Sequence, residues 1–203
     1  MENTKRYLFV ILVNLLLCFH LHGQNGQCWF NVLASELETG TPEFKALIKN
    51  SDDGVYAYQK MYSPHPRLRH DATSLNAFIK AKNNVKLKQL GFTDDLLAKV
   101  NASTLDDGNY ASILGDIDAF GTKMAQNPNI QFENFGSIIG KFTDGNPQNS
   151  QAAQWVLQDI TAKAEDFFNK TWKFEVTVVN AGGNNSFIDM ASVETQPIFI
   201  EYK

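Results

Sequence analysis

The chain has 203 residues, of which 43% are hydrophobic, so it can bury a core as one domain or as two small ones. Its formal net charge is −4 at pH 7, with 18 Lys and Arg residues against 22 Asp and Glu residues. This balance excludes a protein that coats nucleic acid with a uniformly basic surface. A nuclease is still allowed, because bound divalent cations offset local negative charge.

The N-terminus is typical of a secretory signal peptide. Two basic residues precede an apolar run from Tyr7 to Leu21, and a segment of small and polar residues begins at Gly23. The run is shorter than the roughly 20 residues of a membrane-spanning helix. We therefore expect residues 1–23 to be cleaved, the mature chain to be secreted, and no stable membrane span to remain after cleavage. A short uncleaved anchor is the alternative.

Residues 24–148 are predicted to form a helical module. Thr41 and Thr93 have the position of helix N-caps, each directly before a helical apolar pattern. His65 lies between two prolines, where we expect a solvated loop rather than a phosphate or metal site. The clearest amphipathic helix covers residues 110–124 and directs four apolar residues inward: Ile113, Leu114, Ile117 and Phe120.

The sequence pattern changes after a polar cluster at residues 143–147, which we interpret as a domain boundary. A short helix or turn at 132–142 precedes it, and a long helix follows at 150–168. That helix has four residues spaced to pack on a sheet: Trp155, Val156, Ile160 and Phe167. Three strands are predicted next, at 172–179, 187–190 and 198–203, with a turn at 181–185. The sequence thus predicts an α+β chain ending in the order helix, strand, strand, strand.

Three polar residues on the last two predicted strands are the candidate site. Asp189 is on one strand, and Glu201 and Lys203 share a face of the next, because strand residues two apart point the same way. Adjacent carboxylates repel unless a cation lies between them, and oxygen ligands suit Mg²⁺. The Glu-x-Lys spacing alone is weak evidence for a site, since Glu43-Phe-Lys45 has the same spacing on a predicted helix. An ordinary solvated strand edge is the alternative interpretation.

Residues 149–203 resemble the D…E-x-K restriction-endonuclease-like nucleases. The resemblance is carried by Asp189, Glu201 and Lys203 and by the order of the predicted strands. The resemblance implies an α-β-β-β core in which Asp189 and Glu201 bind Mg²⁺. It also implies that Lys203 assists hydrolysis of a phosphodiester in a nucleic acid substrate, either DNA or RNA. Some members add a metal-binding glutamate from the first helix, where this chain has Gln154. The family fold continues with a helix and a strand, so we expect an incomplete core and little or no catalysis in a chain that ends at Lys203.

The helical module resembles the region that precedes toxin domains in secreted bacterial polymorphic toxins. The segments that carry this resemblance are Pro66-Arg-Leu-Arg-His-Asp71, Leu90-Gly-Phe-Thr93 and the stretch from Tyr110 to Phe120. The resemblance implies a secreted effector that an immunity protein neutralises in the producing cell. The alternative is a secreted, mainly helical binding or interaction protein without enzymatic activity.

Overall fold

The structure, a computed structural model, describes residues 36–49, 52–101, 109–179 and 185–202. The predicted signal peptide at 1–23 and the predicted catalytic residue Lys203 lie outside the described residues. The chain divides into two compact units, Met1–Ala46 and Leu47–Lys203. The candidate residues that the structure describes belong to the second unit.

The described residues form an α+β fold whose N-terminal portion is helical. Its helices are α1 (Pro42–Lys49), α2 (Asp52–Tyr62), α3 (Ala72–Asn83), α4 (Val85–Gln89), α5 (Asp94–Lys99), α6 (Tyr110–Gln126), α7 (Phe135–Lys141) and α8 (Pro147–Ala162), with 3₁₀ turns at Pro66–Leu68 and Ala164–Phe167. The strands are β1 (Gln131–Glu133), β2 (Thr171–Val179), β3 (Asn185–Ser192) and β4 (Phe199–Ile200). Within these described ranges, no helix is long and apolar enough to cross a bilayer.

Several helices begin where a side chain caps them. The backbone N–H of Phe44 donates to Thr41 Oγ1 at 3.2 Å, and that of Leu96 donates to Thr93 Oγ1 at 3.2 Å. Each bond satisfies an N–H that has no partner within its helix. The caps predicted at Thr41 and Thr93 are therefore confirmed. Asn146 caps α8 in the same way, so this helix begins earlier than predicted.

The sheet of the described residues has the strand order β1-β2-β3-β4. β2 and β3 pair antiparallel from Trp172↔Ser192 to Val179↔Asn185, and β4 pairs antiparallel with β3. The order helix, strand, strand, strand that the sequence predicts from α8 onward is confirmed. β1 lies at the other edge and runs parallel to β2.

Two predicted elements differ from the structure. Phe132 lies in β1 rather than in a helix or turn, and Asn134 then turns the chain into α7 with a left-handed backbone (φ 54°). A three-residue strand is too short for periodicity to reveal. The predicted long helix ends at Ala162, where Lys163 leaves helical geometry (φ −119°), and a 3₁₀ turn continues the chain.

A cluster of phenylalanine rings connects the helices with the sheet. The ring centroids of Phe135 in α7 lie 5.5 Å from Phe120 in α6 and 5.4 Å from Phe174 in β2. Phe132 in β1 lies 5.6 Å from Phe174. The core thus takes residues from both sides of the polar cluster at 143–147. The division into a helical module at 24–148 and a partial nuclease domain at 149–203 stays a prediction.

Candidate functional site

The two candidate metal ligands follow the paired residues of β3 and β4. The pairs Ala191↔Phe199 and Met190↔Ile200 define the β3–β4 register, so Asp189 and Glu201 each lie one residue beyond the last pair. β4 itself ends at Ile200. Asp189 is half-buried and Glu201 is exposed. That these two residues lie side by side stays a prediction.

The Asp189 carboxylate also fixes the chain beyond β4. The backbone N–H of Tyr202 donates to Asp189 Oδ2 at 2.8 Å, so a side chain replaces the next ladder bond. One carboxylate oxygen is thereby engaged with a backbone amide. The contact holds the segment around Glu201 against β3.

The chemistry of these side chains fits a hard divalent cation. Carboxylate oxygens are the protein ligands that Mg²⁺ prefers, and Mg²⁺ commonly keeps water or substrate oxygens beside one or two carboxylates. Over the described ranges, no group of three or more His, Cys, Asp or Glu side chains is placed to hold a metal ion. A site here would therefore use Asp189 and Glu201 with oxygens from water or substrate.

Gln154 links two helices. It stands at the position where some members of the nuclease family carry a further metal ligand. Its Nε2 donates to Asp116 Oδ2 of α6 at 2.5 Å, and Nε2 of Gln158 donates to the same oxygen at 2.9 Å. The two amides therefore tie α8 to α6. This role explains the residue type at position 154 without a metal.

An open cleft of about 610 Å³ lies beside the end of β4. One side of the cleft is formed by α8 and by Lys163, which follows it; the α8 residues are Trp155, Gln158, Asp159 and Ala162. The other side is formed by the C-terminal residues Ile200, Glu201 and Tyr202. The sequence prediction that Trp155 packs in the core is wrong, because its side chain is 45% exposed. Val156 and Ile160 occupy the buried face of α8, and Trp155 lies off that face.

A tyrosine joins the cleft to α8. The Tyr202 hydroxyl donates to Asp159 Oδ2 at 3.1 Å, and Lys163 Nζ lies 2.5 Å from Asp159 Oδ1. Burial, and then the charge of Asp159, raise the pKa of the Tyr202 hydroxyl. The hydrogen bond to Asp159 raises the pKa of the Lys163 amine. Tyr202 is thus a neutral donor and Lys163 a cation at neutral pH, and sequence patterns gave no signal for this group.

A backbone outlier lies on the strand next to Asp189. Glu175 adopts φ +51°, a left-handed conformation that costs a residue with a side chain about 1–3 kcal/mol. Its position in β2 is opposite Asp189, between the pairs Phe174↔Met190 and Val176↔Ile188. Its carboxylate lies 3.0 Å from Lys141 Nζ of α7. The ion pair engages Glu175 with α7, so it is not assigned to the candidate site.

Comparisons of the chain with protein-family models, with curated protein sequences and with solved structures each find no match. The functional interpretation consequently rests on the residues and contacts described above.

Proposed function

We propose that the chain carries the metal-binding part of a Mg²⁺-dependent nuclease, an enzyme that hydrolyses phosphodiester bonds, within a secreted toxin-like protein. The observation that supports the proposal is that Asp189 and Glu201 each lie one residue beyond Met190↔Ile200, the last pair between β3 and β4. Secretion through residues 1–23 and neutralisation by an immunity protein belong to the same proposal and rest on the resemblance to polymorphic toxins.

The side chains have separate tasks in this proposal. Asp189 holds the Tyr202 amide with one oxygen and offers the other, together with the Glu201 carboxylate, as metal ligands. Bound Mg²⁺ would polarise the scissile phosphate and lower the pKa of a water molecule. Lys203 would stabilise negative charge that develops on the phosphate. DNA and RNA fit this chemistry equally.

A second candidate function is a secreted binding protein without enzymatic activity. The open cleft beside α8 favours it, because a half-exposed tryptophan and several polar groups surround a concave surface. The two candidates differ in whether the carboxylate pair binds a divalent cation.

Cation binding to the full chain tests the nuclease proposal. We expect Asp189→Asn and Glu201→Gln each to weaken Mn²⁺ binding at least about tenfold, since even second-shell groups contribute about 10–100-fold to metal affinity. Electron paramagnetic resonance of free Mn²⁺ measures the affinity. Asn at position 189 keeps an oxygen acceptor for the Tyr202 amide, so the substitution preserves the local fold.

The matched control is Glu133→Gln, an exposed carboxylate on β1, which should leave the Mn²⁺ affinity unchanged. Any Mg²⁺-dependent cleavage of single- or double-stranded DNA or RNA should disappear in Asp189→Asn and in Lys203→Ala. Full Mn²⁺ affinity in both ligand variants would overturn the metal assignment. A wild-type chain that does not bind Mn²⁺ would favour the second candidate.

A further inference from the structure

We propose that Asn169 is the acceptor of an N-linked glycan when the chain enters a secretory compartment that holds an oligosaccharyltransferase. The inference rests on secretion, which is part of the proposed function, and does not depend on the nuclease. In the transfer, the side-chain nitrogen of Asn169 bonds to C1 of the first sugar of a lipid-diphosphate-linked oligosaccharide. The bond from C1 to the diphosphate oxygen breaks, the lipid diphosphate leaves with the electron pair, and the nitrogen loses a proton to a base of the transferase.

The acceptor pattern Asn-x-Ser/Thr occurs three times in the chain, so the pattern alone does not select a site. Its asparagines are Asn101, Asn169 and Asn184. Asn184 lies outside the described residues, and the structure distinguishes the other two. A glycan is bulky and hydrophilic, so the asparagine that carries it must project into solvent in the folded protein.

Asn101 is a buried residue. It is 7% exposed, and its backbone N–H donates to the Phe142 carbonyl at 2.9 Å. A glycan added here to the chain before folding would have to fit into a closely packed interior, which has no void of that size. The fold therefore opposes a glycan at Asn101 in the secreted protein.

Asn169 lies in an exposed turn between the 3₁₀ turn Ala164–Phe167 and β2. Its backbone is left-handed, with φ 56°, a conformation that asparagine adopts more readily than most residues. No hydrogen bond of its side-chain amide to another described residue is present. A sugar on the amide nitrogen would consequently break no contact of the described fold.

The surface around this turn has room for a bulky group. Three residues that precede Asn169 are exposed: Glu165, Asp166 and Phe168. The amine of Lys170, the next residue, lies 2.8 Å from a carboxylate oxygen of Glu194. The turn can therefore accommodate the glycan that the surroundings of Asn101 exclude.

Thr171 completes the acceptor pattern at the first residue of β2. Its carbonyl accepts the Val193 N–H at 2.8 Å, while its hydroxyl bonds to no other residue in the part of the chain that the structure describes. The left-handed turn explains an asparagine at position 169, but it does not require a hydroxyl at position 171. The acceptor pattern requires both.

Secretion of the full chain from cultured eukaryotic cells tests the inference. Peptide N-glycosidase in heavy-oxygen water converts each occupied asparagine into a labelled aspartate, which peptide mass spectrometry locates. We expect the label at Asn169 and none at Asn101. Thr171→Val should abolish the label at Asn169, because it removes the hydroxyl but keeps the branched shape and the carbonyl that Val193 contacts. Thr171→Ser keeps the hydroxyl and should retain the label.

The matched control is Ser103→Ala, which removes the hydroxyl of the Asn101 pattern and should leave the label at Asn169 unchanged. A second version of the chain has a proven signal peptide in place of residues 1–23, so it enters the compartment whatever its own N-terminus does. Secretion of this version alone would contradict the secretion part of the proposed function, and its label would still decide the glycan. An unlabelled Asn169 in the secreted wild-type chain, a label at Asn101 instead, or full labelling of Thr171→Val would each overturn the inference.

Discussion

Lys82 shows how one residue in this chain carries a buried charge. Its side chain is 8% exposed, and its amine donates to Asp53 Oδ1 at 2.8 Å and to Asn83 Oδ1 at 3.1 Å. The amine also lies 5.3 Å from the ring centroid of Tyr56. A buried ammonium needs such partners, because desolvation disfavours the charged form. The pair therefore joins α2 to α3 through a satisfied charge.

This ion pair predicts an acid-sensitive contribution to stability. The hydrogen bond from Lys82 lowers the pKa of Asp53 below its ordinary value of 3.8. A folded-state pKa below the unfolded one stabilises the fold above the unfolded pKa, and the contribution is lost as the pH falls through the folded pKa. We expect Lys82→Met to cost about 1 kcal/mol at pH 7, a figure reduced because the Asp53 side chain is 46% exposed.

Urea unfolding from pH 7 down to about pH 2 measures this contribution, and the difference between wild type and Lys82→Met should shrink from about pH 5 downward. Lys80→Met, an exposed position on the same helix, should show no such trend. A constant difference across the pH range would show that the pair does not titrate with folding.

Single residues could be predicted where their partners are local in sequence. The caps at Thr41 and Thr93 were predicted correctly, because each donor lies three residues away. The prediction for His65 was wrong. We expected it in a solvated loop, but its side chain is fully buried and its ring centroid lies 4.3 Å from that of Tyr110. That burial, like the pairing of Lys82, depends on elements distant in the chain, so the local pattern gave no sign of it.

At the scale of elements, α6 and α4 pack closely around a glycine. A Cβ atom at Gly121 would lie 2.5 Å from Leu87 Cγ and 2.9 Å from Asn84 Nδ2. Asn84 caps α4 and also donates to the Asp118 carbonyl of α6. Neither neighbour is a flexible chain end, so the glycine sets how closely the two helices approach. Gly115 on the same helix faces open space.

The two glycines of α6 predict opposite responses to the same substitution. Gly115→Ala should raise the free energy of unfolding by about 0.5–1 kcal/mol, since alanine restricts the unfolded chain and suits a helix better. Gly121→Ala has the same favourable effect on the unfolded chain and on helix propensity. It should nevertheless lower the free energy of unfolding by about 1–3 kcal/mol overall, because the methyl group overpacks the contact with α4. Thermal unfolding of both variants gives the comparison. Equal stabilisation by both would contradict the close packing.

Sequence periodicity predicted the long helices and strands correctly. It did not predict the short elements whose structure depends on pairing with distant segments. All four inward residues predicted for α6 are buried. β1 was missed, because a three-residue strand gains its structure from parallel pairing with a segment about 40 residues later. The predicted strand at 198–203 reduces to Phe199–Ile200, after which Tyr202 bonds to the side chain of Asp189 in place of a ladder partner.

For the molecule as a whole, the predicted boundary at 143–147 divides residues that share one core. Phe120, Phe132 and Phe135 come from before it, and Phe174 comes from after it. β1 further pairs with β2 across the same point. The pairing of β3 with β4 could be predicted because the two strands are consecutive. The cleft could not, since it needs the position of α8 relative to β4.

This shared core predicts which part of the chain folds alone. A fragment of residues 149–203 keeps α8 from Asn149 onward and strands β2 to β4. It loses the rings that cover Phe174, and buried aromatic side chains contribute about 3–5 kcal/mol when removed. Such a loss is comparable with the total stability of a small domain. We expect this fragment to be unfolded by near-ultraviolet circular dichroism and by NMR dispersion. A fragment of residues 47–203 contains the whole cluster and should unfold in one cooperative transition. A fragment 149–203 with dispersed resonances and a cooperative thermal transition would place the folding boundary at the polar cluster.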